Sequence, residues 1–190
     1  MLVELSNNCF MWDQDVYLKT LLFAGKAHIG QKVPGTDLSY VVHITNVAME
    51  VASALTHTNE QKIDVTLAVQ CALLHDTIED TAVTYEEIKS IFGEQVANGV
   101  LALTKNTELP KAEQMQDSLQ RIVEQGAAIR IVKMADRINN MQPPPLYWTL
   151  EKKQGYHKEA QFILEQLGGV HSYIEERLAQ KIINYNHYLK

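Results

Sequence analysis

Cysteine is scarce: Cys9 and Cys71 are the only two in 190 residues. Two thiols exclude a disulfide scaffold and a four-thiolate zinc site, and reduced thiols in the cytoplasm are the expectation. Proline occurs five times and glycine nine, too few for a linker-rich or low-complexity chain. No apolar run approaches the roughly 20 residues of a membrane span, and Met1 to Asp15 lacks the basic flank and apolar run of a signal peptide. Basic residues are in deficit, 17 Lys and Arg against 23 Asp and Glu for a formal charge of −6. That excludes a general nucleic-acid surface, whose affinity comes from clustered cations. Alternating β-branched and polar stretches long enough for strands are also missing, and there is no internal repeat.

What is present is helical periodicity and 46% hydrophobic content, enough for one substantial core. The expectation is an all-α bundle of about eight to ten helices, one domain spanning residues 1–190 with no internal boundary. Helices are read over Asp15 to His28, with Gly30 and Pro34-Gly35 as stop and turn, from near Ser39 to Leu55, and over Gln61 to Asp76. Thr84-Tyr85-Glu86-Glu87 resembles a capping box opening a short helix that ends at Gly93. Leu101, Leu103 and Leu109 then flank a polar connection. Further helices are read over Pro110 to Gln125, Ala127 to Met141, Leu150 to Leu167 and Val170 to Tyr188. The run Pro143-Pro144-Pro145 must end the helix before it.

Against this apolar background the doublet His75-Asp76 stands out, followed one turn later by Glu79 and Asp80. Several carboxylates beside an imidazole are costly to desolvate without a cation. His43 and Asp136 also interrupt apolar helices. If His43, His75, Asp76 and Asp136 converge, two imidazoles and two carboxylates form a donor set suited to Mn²⁺, Fe²⁺ or Zn²⁺ with positions left for water or substrate. Such a metal polarises a phosphoryl oxygen and acidifies water. Singly, each residue has a plainer reading: His43 as a hydrogen-bonded core histidine, Asp76 as a cap, Asp136 as the ion-pair partner of Arg137 or Lys133. Glu79 and Asp80 could equally be a solvated acidic turn.

Four segments, Ala27-His28-Ile29-Gly30-Gln31, His43, Ala72-Leu73-Leu74-His75-Asp76-Thr77-Ile78-Glu79-Asp80-Thr81 and Val132-Lys133-Met134-Ala135-Asp136-Arg137-Ile138-Asn139-Asn140-Met141, occur in order. Together they resemble the HD hydrolase domain of RelA/SpoT proteins, in particular its small stand-alone members, over about residues 16–167. The resemblance implies an Mn²⁺-dependent enzyme that removes the 3′-pyrophosphate of the guanosine alarmones (p)ppGpp. It implies metal ligation by His43, His75, Asp76 and Asp136, water handling by Glu79 and Asp80, and water or phosphate orientation by Asn140. Nucleotide contacts follow for Lys32, Tyr40, Lys152 and Tyr156, with Trp148 on the same helix face as the last two and Lys105 and Lys111 as phosphate neighbours.

The chain departs from the family pattern in three places: a connection from Gly35 to His43 longer by about two residues, Asn139 where a ring is customary, and Pro143 to Pro145. All lie toward the expected nucleotide side, so another nucleotide phosphate, such as the 2′-phosphate of NADPH, is a competing substrate. A non-catalytic alarmone-binding module is a third reading. Nothing in the residues fixes the oligomeric state.

Overall fold

The computed structural model describes residues 13–57 and 63–190, and among them the chain is helical throughout, with one isolated bridge between Lys32 and Ser39. The helices are α1 (Gln14–Ala27), α2 (Val41–Leu55), α3 (Val65–Leu74), α4 (Thr77–Asp80), α5 (Tyr85–Phe92), α6 (Glu94–Leu103), α7 (Lys111–Glu124), α8 (Ala127–Asn140), α9 (Leu150–Leu167) and α10 (Ser172–Tyr185). A 3₁₀ turn, Asn186–Leu189, follows. Cys9 and Gln61, the latter read as a helix start, lie outside the described residues.

Helix starts are written in side chains that accept the otherwise orphaned first-turn N–H groups. Asp13 accepts from Asp15 and Val16, Asp64 from Leu67, Thr84 from Glu87, and Thr149 from Lys152. At the other end of the chain Glu175 reaches back to accept from the backbone N–H of Val170 and His171, tying the turn that opens α10.

Two boundaries differ from the sequence reading. Residues 94–103 form helix α6, which was not read as a helix, while the polar connection flanked by Leu101, Leu103 and Leu109 follows it. Gly93 at φ 94° is both the end of α5 and the entry to α6, a left-handed conformation that glycine adopts without steric cost. One residue therefore turns the chain from one helix directly into the next. The helix expected to reach Asp76 ends at Leu74: Thr77 Oγ1 donates to the Leu74 carbonyl at 2.6 Å, and α4 begins there.

The core is a continuous buried cluster to which α2, α3, α6, α8, α9 and α10 all contribute. Helix α8 passes through it with Ile129, Ile131, Val132, Met134, Ala135 and Ile138 fully buried. Each Ile or Leu so buried is worth about 1.5–3 kcal/mol. Helices α2, α3 and α8 pack pairwise against one another, and the polar interruptions of all three meet at one place.

Candidate metal centre

Four donors from three helices converge. His43 comes from the first turn of α2, Asp136 from the last turn of α8, and His75 and Asp76 from the break between α3 and α4. Asp76 has φ −101° and ψ 0°, the bridge region where many active-site residues sit. That kink turns two adjacent side chains toward the same point, which a continued helix could not do. His43 Nε2 lies 3.2 Å from His75 Nε2, 3.6 Å from Asp76 Oδ2 and 3.6 Å from Asp136 Oδ1; His75 Nε2 lies 2.8 Å from Asp76 Oδ2 and 3.8 Å from Asp136 Oδ1. Metal bonds of about 2.1 Å put neighbouring donors about 3.0–3.4 Å apart, and the separations here, from 2.8 to 3.8 Å, lie on either side of that range.

The outward nitrogens fix which atoms face inward. His75 Nδ1 bonds the Ala72 carbonyl at 2.8 Å and His43 Nδ1 bonds Asn139 Oδ1 at 2.8 Å. Both partners are acceptors, so each Nδ1 carries a proton and each Nε2 is the atom left to ligate. Two Nε2 atoms and two carboxylates face one another, with His43, His75 and Asp136 buried, an arrangement that positive charge at its centre stabilises. Burial works against charging His75, yet Asp76 and Asp136 push its pKa up to about 9. Burial likewise opposes ionisation of Asp76 and Asp136, but the histidines beside Asp76, and Lys133 beside Asp136, hold both carboxyls below their usual value. The residues fit a divalent metal. His43, His75 and Asp136 can each offer an atom to one ion, and Asp76 Oδ2 lies within reach of both imidazoles.

A ring of partners holds the carboxylates. Tyr40 donates its hydroxyl to Asp76 Oδ2 at 2.5 Å; burial and the neighbouring Asp76 push its phenol far above the ordinary value, so it remains a donor. Lys133 donates to Asp136 Oδ2 at 3.0 Å and Asn140 to Asp136 Oδ1 at 2.5 Å, which the i, i+4 spacing of Asp136 and Asn140 anticipates. Glu79 is gripped by Lys105, whose Nζ and backbone N–H donate to its two oxygens at 3.0 Å each. Asp80 accepts from Gln31 at 2.8 Å.

Two cavities adjoin here. The polar one, of about 210 Å³, is lined by Asp76, Glu79, Asp80, Lys105, Asp136 and Arg137, among others. The other, of about 390 Å³, is mostly apolar and runs between Val33, Leu38 and Val42 on one side and Pro143 to Pro145 and Trp148 on the other. Asn140 and Tyr156 line both.

The structure therefore gathers His43, His75, Asp76, Asp136, Glu79, Asp80, Asn140, Tyr40 and Tyr156. Lys32 and Lys152 lie outside the linings of the two cavities: Lys32 Nζ bonds the Asp37 carbonyl, and Lys152 Nζ sits 4.4 Å from the centroid of the Trp148 ring. Arg137 was considered only as an ion-pair partner, yet it has a larger place. It is buried, lies 4.2 Å from the Tyr156 ring centroid, bonds Glu159, and its Nε and Nη1 have no hydrogen-bond partner. A charged residue beside Asp136, interrupting the apolar pattern of α8, was the signal for it.

Comparison with known proteins agrees with this geometry. The HD domain family matches residues 20–168. The guanosine-3′,5′-bis(diphosphate) 3′-pyrophosphohydrolase of Danio rerio is 34% identical over 170 residues, covering 87% of this chain and 91% of its own length. The Homo sapiens protein of the same name is 31% identical over 161 residues, covering 82% and 87%. A solved structure, described as a metazoan orthologue of SpoT that hydrolyses ppGpp, superposes with a TM-score of 0.79 at 23% identity over 95% of this chain and 99% of that one. This chain belongs to the HD domain family.

Proposed function

We propose that this chain is a metal-dependent phosphohydrolase that removes the 3′-pyrophosphate of (p)ppGpp, giving GDP or GTP and pyrophosphate. The observation that carries it is the near full-length likeness to 3′-pyrophosphohydrolases. The buried cluster of two imidazoles and two carboxylates is the chemistry such a reaction needs.

In this reading His43, His75, Asp76 and Asp136 hold the divalent ion, Mn²⁺ in our proposal, which when bound supplies Lewis acidity to a phosphoryl oxygen and acidifies water. The protein does the rest. Attack of water on the phosphorus joined to the 3′ oxygen breaks that P–O bond. The water's proton passes to the Glu79–Asp80 pair, which returns it to the departing 3′ oxygen so that it leaves as a hydroxyl. Burial raises the Asp80 pKa, with the Gln31 bond working against that rise, so Asp80 is a better base than an exposed aspartate. Asn140, fixed on Asp136, orients water or a phosphoryl oxygen. Lys105 and Arg137 offset the phosphate charge from the walls of the polar cavity. The apolar cleft beyond Asn140 and Tyr156 takes the base and ribose, since a nucleotide's charged and flat halves match the two adjoining cavities.

The same reading treats residues 1–190 as one domain acting in the cytoplasm. The unbroken buried cluster and the buried free thiol of Cys71 support it. Among the described residues no helix is long and apolar enough to cross a membrane.

Incubation of the Mn²⁺-loaded protein with ppGpp and, separately, NADPH, with product separation by ion exchange, tests the proposal. Pyrophosphate released from ppGpp is the expected result. Phosphate released from NADPH alone would move the substrate assignment, and binding of ppGpp without cleavage would make the chain a sensor.

A further inference from the structure

The segment Ala27-His28-Ile29-Gly30-Gln31 has no part in the donor cluster, yet the structure ties it to the site. Gly30, at φ 84°, turns the chain after α1. The turn pins Gln31 at both ends: its N–H donates to the His28 carbonyl at 3.0 Å and its carbonyl accepts from Tyr40 at 3.0 Å. From this fixed backbone the Gln31 amide spans two groups. Its Nε2 donates to Asp80 Oδ2 at 2.8 Å, and its Oε1 lies 2.7 Å from His28 Nδ1.

The polarity of this chain is determined by chemistry. An ionised Asp80 only accepts, so the amide nitrogen must face it and the amide oxygen must face His28. His28 Nδ1 then carries the proton. His28 is buried and its Nε2 has no partner, which is the tautomer in which a buried ring leaves a lone pair rather than an N–H unsatisfied. Its ring centroid lies 4.9 Å from that of Tyr40, whose hydroxyl holds Asp76. One buried His–Tyr pair thus backs two arms, the Gln31 amide on Asp80 and the Tyr40 phenol on Asp76.

We propose that Gln31, its amide orientation fixed by His28, is a positioning residue that holds the Asp80 carboxylate at the polar cavity. The inference rests on the assignment of Asp80 to water handling in the proposed function. Without the amide, Asp80 is free to rotate about its side-chain bonds and the distance from its oxygen to water is no longer set. Loss of a partner that orients a reacting group costs about 10–100-fold.

The test compares wild type, Gln31→Met, Asp80→Asn and the double variant, all Mn²⁺-loaded, with ppGpp. Methionine keeps the volume and removes the donor. Gln31→Met should lower kcat about 10–100-fold with KM unchanged, keep its metal content, and add nothing to the loss caused by Asp80→Asn. In the metal-free protein the Gln31 side-chain amide ¹H–¹⁵N signals should move on Asp80→Asn. Wild-type rates in Gln31→Met, losses that multiply in the double variant, or amide signals indifferent to Asp80 would each overturn the inference. An inactive wild type rejects the function itself and is seen in the first arm; the amide signals then still decide whether Gln31 holds Asp80.

Discussion

Metal removal should destabilise this protein by an amount that can be estimated beforehand. The metal-free cluster places two imidazole Nε2 atoms 3.2 Å apart beside two carboxylates, and an ion that binds only the folded arrangement stabilises it by mass action. At a free Mn²⁺ concentration 100 times the dissociation constant the gain is about 2.7 kcal/mol. For a chain of 190 residues each kcal/mol moves Tm by about 2–4 °C, so the rise should be about 5–11 °C.

The rise should also depend on pH, with a definite sign. His75 in the metal-free fold is pushed up from 6.5 to about 9. Its proton therefore stabilises the apo protein fully below about pH 6.5, and that contribution fades as pH climbs through 9. The metal needs the unprotonated Nε2, so its increment should grow over the same window. Differential scanning fluorimetry with Mn²⁺ or with EDTA, at several values between pH 6 and 9, reads both effects. His75→Ala should abolish the rise. An equal rise in His75→Ala, or none in wild type, would refute the four-donor site.

Glu175→Gln weakens the charge-assisted bonds to the Val170 and His171 amides and should cost about 1 kcal/mol at neutral pH. Burial works against ionisation of Glu175, but the backbone donors of Gly169, His171 and Val170 hold its pKa below the ordinary value. Its contribution is thus present above the ordinary Glu value and lost as pH falls through the depressed one, and urea midpoints of wild type and variant should converge in acid. Gly99→Ala puts a Cβ 2.7 Å from Cys71 Sγ and 2.7 Å from Ile129 Cδ1. Overpacking of about 1–3 kcal/mol should exceed the helix-propensity gain of about 1 kcal/mol. A lower urea midpoint is expected; a higher one would mean that the α3–α6–α8 contact has room to spare.

The donors were legible because each breaks a rule: an imidazole or carboxylate in an apolar helix demands a partner, and four such residues demand a shared one. The helix class followed from periodicity and one cap from Thr84. Helix α6 escaped because periodicity stops at Gly93 whether the chain leaves a helix or only turns into the next. The break after Leu74 was hidden for the opposite reason, since Thr77 and Asp76 keep the helical spacing while the backbone kinks. Long side chains were the least legible. Lys105 was read as a phosphate neighbour and Arg137 as a partner of Asp136, but the fold sets one on Glu79 and the other against Tyr156, whereas Lys32 extends toward its own turn. Spacing locates a Cα; four flexible bonds decide where the charge ends.

The proline wall of the apolar cleft bears on how a ligand is chosen. Pro143 to Pro145 have φ locked by their rings, and Pro145 lies 3.1 Å from where a Cβ on Gly35 would stand. A wall that cannot fold down onto its guest has little conformational freedom to surrender on binding. In the proposed function, selection at this cleft would work by exclusion: a ring system that matches the gap enters with little entropic loss, and one slightly too broad meets a stiff wall.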